Sequence, residues 1–103
     1  MATSLPCLVT EDGHTISSSV VIARYLASFK DELLGKTDFE KGQVDAWMYF
    51  LRDEVQPVSR AIAYQVFGHV QVEPAEHTYT YNLLKDNLKI LNNHLKQKKF
   101  IVG

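Results

Sequence analysis

The alternation of apolar and polar positions near the start of the chain predicts a β-hairpin followed by a helix. Residues 5–10 carry apolar side chains on both faces of a strand, as strands of a buried sheet do. Asp12-Gly13 supplies the positive φ angles of a tight turn, and residues 14–16 return as a second strand. Pro6 has no N–H group, so it belongs at a strand start or edge. Three consecutive serines then offer N-caps for a helix.

Apolar positions that recur every three or four residues predict further helices in the rest of the chain. Thr37 and Glu40 match a capping box at the start of one helix, and Pro57 is expected to kink or end it. Glu73-Pro74 opens another helix with proline at a favourable first position. Its regular stripe predicts a helix that faces the interior of a bundle. The stripe consists of Tyr81, Leu84, Leu88, Leu91 and Leu95.

The predicted elements define a mostly helical chain with a small β part. With 103 residues, of which 46% are hydrophobic, the chain can bury a core, which excludes a disordered segment. Two strands alone, however, make a marginal sheet with open edges. From its residues the chain therefore looks incomplete, and we expect dimerisation or aggregation through residues 5–16 when it is isolated.

Charge and cysteine content narrow the class of protein. The 11 basic and 12 acidic residues give a net charge of −1, which does not indicate attraction of the whole surface to nucleic acid or membrane. Cys7 is the only cysteine, as is typical of a reducing compartment. No apolar run approaches the roughly 18 residues that span a bilayer, and the N-terminus lacks a secretory signal pattern. We therefore expect a cytoplasmic protein that contacts neither membrane nor nucleic acid directly.

The order of elements over residues 5–26 resembles the second half of the thioredoxin-like domain of glutathione transferases. The family pattern is an apolar residue and a cis proline, two strands, an acid or amide followed by serine, and a helix that ends in tyrosine-leucine. The matching positions are Leu5-Pro6, Ser18-Ser19 and Tyr25-Leu26. The resemblance implies that residues 1–30 are the C-terminal half of that domain, 31–37 a linker, and 38–103 part of the all-helical transferase C-terminal domain.

Further details resemble transferase-like proteins of the translation machinery. Leu33-Leu34-Gly35 and the helix around Trp47 are similar to the linker and first helix of the elongation factor 1 gamma subunit. Residues 88–103, which close in Phe-Ile-Val-Gly, are similar to its leucine-rich helix and the segment after it. The resemblance implies a non-catalytic scaffold whose partners are elongation-factor exchange subunits or aminoacyl-tRNA synthetases. A homodimer stays open as an alternative.

Two departures from the family pattern bear on activity. Family members begin with a strand-helix-strand unit that holds the thiol-activating Tyr, Ser or Cys, and nothing before Leu5 can encode it. They also continue past Gly103 into a capped helix. We therefore expect an internal piece of a longer protein, without a catalytic residue of its own. The alternatives are a fragment of a genuine glutathione transferase that conjugates glutathione to small electrophiles, and a truncated product with no function.

The resemblance also assigns a glutathione site. Leu5, beside the cis proline Pro6, would pair its backbone with the cysteinyl part of glutathione. Ser18 and Ser19 would hold the γ-glutamyl carboxylate at a helix N-terminus, although Ser18 replaces the usual Glu or Gln. Two simpler interpretations remain: Pro6 shapes a strand start, and the serines only cap the helix. No other cofactor is expected.

Other reactive side chains have simpler interpretations as well. Cys7 lies in an apolar strand without a basic neighbour, which favours a buried structural thiol over a redox nucleophile. The four histidines show no metal-ligand spacing, so no metal site is expected, and His94 should interact with a helix dipole. The lysines at 96, 98 and 99 are more typical of a solvated helix end than of an RNA contact.

Large apolar residues fall into two groups. Trp47 lies on an inward stripe and is expected in the core, although a hydrophobic ligand pocket is the alternative. Tyr64, Val66 and Phe67 fall outside a clean periodicity, so we expect them in an exposed apolar patch.

Overall fold

A computed structural model describes residues 5–103 of the chain. It is mostly helical, with one two-stranded antiparallel sheet at the start, which confirms the predicted fold class. The architecture is that of the end of a thioredoxin-like domain followed by a helical part. Two compact units emerge: the first ends at Asp45 and includes Val102–Gly103, and the second is Ala46–Ile101. The boundaries at residues 30 and 37 rest on the resemblance and stay a prediction.

The hairpin of the first unit pairs β1 (Cys7–Val9) with β2 (Thr15–Ser17), so that Leu8 faces Ile16. Thr10 N–H donates to the carbonyl of His14 at 2.8 Å, which leaves three residues in the loop. Only Gly13 of these has a positive φ, of 86°. The prediction of a positive φ angle was therefore wrong for Asp12. A three-residue hairpin loop is built on a type I turn followed by one left-handed residue, and Gly13 takes that position.

Helix α1 (Ser19–Ala27) follows the hairpin and carries Val20, which is 7% exposed and is the core of the described residues. A 3₁₀ turn (Asp31–Leu33) then leads to Gly35, whose φ is 104°. Within the same unit, Arg24 Nε of α1 lies 2.7 Å from Asp45 Oδ1. This contact is an ion pair without an aligned N–H donor, since Asp45 Oδ1 is shielded from solvent and has no hydrogen-bond partner.

The start of helix α2 (Asp38–Phe50) confirms half of the predicted capping box. Glu40 N–H donates to Thr37 Oγ1 at 3.1 Å, as an N-cap requires. The carboxylate of Glu40, however, accepts from the N–H of Lys36 at 2.6 Å, one residue before the expected partner. The first contact satisfies an amide in the first turn of α2 and the second an amide just ahead of it, and together they fix where α2 begins.

Pro57 neither ends the helix nor leaves it regular. A π-helical segment (Leu51–Val55) joins α2 directly to helix α3 (Gln56–Val66), and Gln56 N–H donates to the carbonyl of Leu51, five residues back. In a regular α-helix the proline ring would collide with the carbonyl four residues earlier. The wider π turn is the local distortion that lets the helical path continue past Pro57.

Helix α4 (Pro74–Leu95) packs within the second unit on a side that differs from the predicted stripe. Leu84 and Leu91 are half-buried as expected, but Tyr81 and Leu88 are each 49% exposed. The half-buried positions share a spacing of three and four residues. They are His77, Thr80, Leu84, Asn87, Leu91 and His94.

Polar contacts explain this rotation of α4. Asn87 Nδ2 donates to the carbonyl of Glu54 at 3.0 Å, and a ring nitrogen of His77 lies 2.5 Å from Gln65 Oε1. These groups need partners when they are covered, so they occupy the packed side in place of part of the leucine stripe. Among residues 5–103, no helix is long and apolar enough to cross a membrane.

Candidate functional site

The hairpin brings the four predicted glutathione-binding residues to one end. The Leu5–Pro6 peptide bond is cis, as the resemblance implies, and both residues directly precede β1. Cys7 is paired with Ser17, so the antiparallel register places Pro6 beside Ser18 when it is continued by one residue. Leu5 is 90% exposed, and its backbone is accessible.

Ser18 has the most unusual backbone of this group. It occupies the N-cap position of α1 with φ 76° and ψ 124°, and its hydroxyl makes no capping hydrogen bond. A residue with a Cβ in this region costs about 1–3 kcal/mol, and such residues concentrate at ligand sites. The interpretation that the serines only cap the helix does not hold for Ser18, because its side chain satisfies none of the helix amides.

The start of α1 is suited to an anion. The first intrahelical bond runs from Ile22 N–H to the carbonyl of Ser18 at 2.9 Å, so the amides of residues 19–21 have no partner within the helix. No acidic side chain lies in the first turn. Free amides and the helix dipole stabilise a carboxylate at such a position. Together with the exposed backbone of Leu5, these groups could bind an extended peptide with a carboxylate at one end.

The opposite end of the hairpin has its own polar cluster. The hydroxyl of Thr10 donates to Asp12 Oδ1 at 2.5 Å, and His14 Nδ1 lies 2.9 Å from Asp12 Oδ2. The hydrogen bond from Thr10, followed by those from the backbone N–H of Asp12 and from His14, lowers the pKa of the Asp12 carboxyl. Because the cluster lies at the turn, it is separate from the predicted glutathione residues.

A groove of about 600 Å³ borders this turn and does not coincide with the predicted site. Tyr25 and Phe29 of the first unit meet edge to face in it, with ring centroids 5.3 Å apart. None of the four predicted residues lines the groove. Its lining is Leu8, Val9, Thr10, Glu11, Asp12, Tyr25, Leu26 and Phe29.

Three predictions concern large side chains of the second unit. Trp47 is half-buried against Phe50 and against the ring of His94 at 4.5 Å, so it is partly covered but is not one of the fully buried residues. His94 lies in the last turn of α4, where an interaction with the helix dipole is expected, and its Nε2 also lies 2.7 Å from the carbonyl oxygen of Ile101. The predicted patch is exposed: the exposed fractions of Tyr64, Val66 and Phe67 are 47%, 66% and 75%.

Cys7 and the histidines show no reactive arrangement in the described part of the chain. Cys7 is a free thiol, half-buried in β1. Across residues 5–103, no group of three or more His, Cys, Asp or Glu side chains could hold a metal ion. The contacts that sequence reasoning missed are those of Asn87, His77 and Arg24. The signal available for the first two was their place on a regular three- and four-residue spacing within α4.

The amino-acid sequence of the chain is similar to those of several known proteins. No family model matches the chain. Elongation factor 1-gamma of Artemia salina is 31% identical over 99 residues, which cover 96% of this chain and 23% of that protein. The Danio rerio protein of the same name is also 31% identical, and the match covers 96% of this chain and 22% of that protein. A glutathione S-transferase-like protein of Fusarium sp is 27% identical over 105 residues, and the match covers 99% of this chain and 48% of that protein.

The chain thus spans less than a quarter of the two elongation factor relatives and about half of the transferase-like one. The matched region includes both the hairpin with its helix and the helical part. The chain is therefore related to the glutathione S-transferase-like superfamily, with elongation factor 1-gamma among its relatives.

Proposed function

We propose that this chain is a transferase-like protein-interaction module of a cytoplasmic elongation factor 1 complex, similar to the gamma subunit. Its partners in that role are elongation-factor exchange subunits or aminoacyl-tRNA synthetases. The observation that carries the proposal is the 31% identity to two elongation factor 1-gamma proteins over 96% of the chain. On this proposal the segment acts by holding other proteins together and not by chemistry of its own.

The exposed apolar surface supports a scaffold role. Tyr64, Val66 and Phe67 lie together at the end of α3, where the backbone amides of His69 and Val70 fold back onto the carbonyl of Tyr64. This contact holds the patch in a defined loop. A contiguous apolar patch on a protein surface is typical of an interface with another protein, and aromatic side chains are enriched in such interfaces.

The groups at the predicted glutathione site support binding rather than catalysis. They are backbone atoms of Leu5, the hydroxyls of Ser18 and Ser19, and helix amides. The resemblance assigns these groups to the cysteinyl backbone and the γ-glutamyl carboxylate of glutathione, and it assigns none of them to the thiol. We propose that these residues either bind a ligand or only maintain the local backbone conformation of the family.

The second candidate is a segment of a glutathione transferase that transfers alkyl or aryl groups to glutathione. The backbone of Ser18 is the observation that favours it, because strain without a capping bond is typical of a residue that positions a ligand. The names of the transferase-like relatives support the same candidate. Here glutathione would be a substrate, and the activating residue would come from outside the described segment.

Affinity capture of the endogenous tagged protein tests the first proposal. We expect exchange subunits or synthetases in the eluate, together with a bait whose intact mass, after subtraction of the tag, lies far above 11.7 kDa. Phe67→Ser should lower their recovery, whereas Phe39→Ser should not, although both phenylalanines are 75% exposed. A self-associated bait that binds glutathione and recovers no translation protein would instead support the transferase candidate.

A further inference from the structure

We draw no further inference here: the strongest candidate, the groove of about 600 Å³ between the hairpin turn and α1, is walled by Tyr25, Leu26 and Phe29, and nothing in the structure shows what covers it in a chain that spans less than half the length of its relatives.

Discussion

The side-chain amide of Asn87 donates a hydrogen bond of 3.0 Å to the main-chain carbonyl of Glu54, which lies 33 residues earlier in the chain. Glu54 belongs to the π-helical segment ahead of Pro57, where the regular bonding of the helix is disturbed. Asn87 thereby supplies a donor to a distorted turn and fixes one side of α4 against it. The bond is a hydrogen bond between residues that are far apart in sequence within the second unit.

Loss of this bond should destabilise the protein. We expect Asn87→Ala to have a free energy of unfolding about 1 kcal/mol lower than Asn93→Ala, because only the first removes the bond to Glu54. Asn93 is exposed on the same helix, so its variant reports the gain in helix propensity that both share. Urea denaturation followed by circular dichroism measures both values. Equal stability of the two variants would show that the bond contributes nothing.

Gly35 should not tolerate a side chain. Its φ is +104°, and a Cβ built there would lie 2.8 Å from the backbone nitrogen of Lys41. We expect Gly35→Ala to lower the free energy of unfolding by about 2 kcal/mol or more, through both backbone strain and the clash. Gly42→Ala is the matched control: it lies in α2 with open space around its Cβ and should stabilise the protein by about 0.5–1 kcal/mol. Thermal unfolding of both variants decides the matter, and a stable Gly35→Ala would contradict the geometry.

The N-cap of α2 should depend on a hydroxyl group. Thr37→Ala removes the acceptor for Glu40 N–H and is expected to cost about 1 kcal/mol of stability. Thr37→Ser keeps the acceptor and should remain near the wild type. Amide hydrogen exchange in the first turn of α2 should be faster in the alanine variant alone. The same exchange rate in both variants would mean that the hydroxyl does not cap the helix.

The pKa of Asp12 should lie below its usual value and should respond to Thr10. The hydrogen bond from the Thr10 hydroxyl is the largest cause of the lowered pKa, so Thr10→Val should raise that pKa. Because the folded pKa is depressed, the stabilisation is present above the unfolded pKa and is lost as pH falls through the folded one. Carboxyl chemical shifts in an NMR titration measure the pKa, with Thr15→Val as the control. A pKa that Thr10→Val leaves unchanged would refute this assignment.

Two substitutions at Ser18 separate backbone strain from ligand binding. Ser18→Gly should raise the free energy of unfolding by about 1 kcal/mol, because glycine accepts φ 76°, whereas Ser18→Ala keeps the strain and should bring no such gain. If the hydroxyl binds the γ-glutamyl carboxylate, both variants should lose about tenfold in glutathione affinity, measured by calorimetry. Unchanged affinity in both variants would remove the hydroxyl from the glutathione site.

Local sequence accounts for most elements of this protein. Thr37 predicts where α2 begins, Pro74 where α4 begins and Gly13 where the hairpin turns, because each acts through its own φ angle or through a bond to a residue a few positions away. The resemblance to transferases added the cis bond at Pro6. These features require no knowledge of distant contacts.

Only the tertiary structure decided which side of α4 is covered. Apolar spacing placed Leu88 inside, yet the packed side runs through Asn87 and His94, whose partners are Glu54, Trp47 and Ile101. A polar side chain is covered when a distant group can satisfy it, and a count of apolar positions along one helix contains no information about that group. The response to Pro57 was decided in the same way, because the helix could continue only where a π turn made room for the ring.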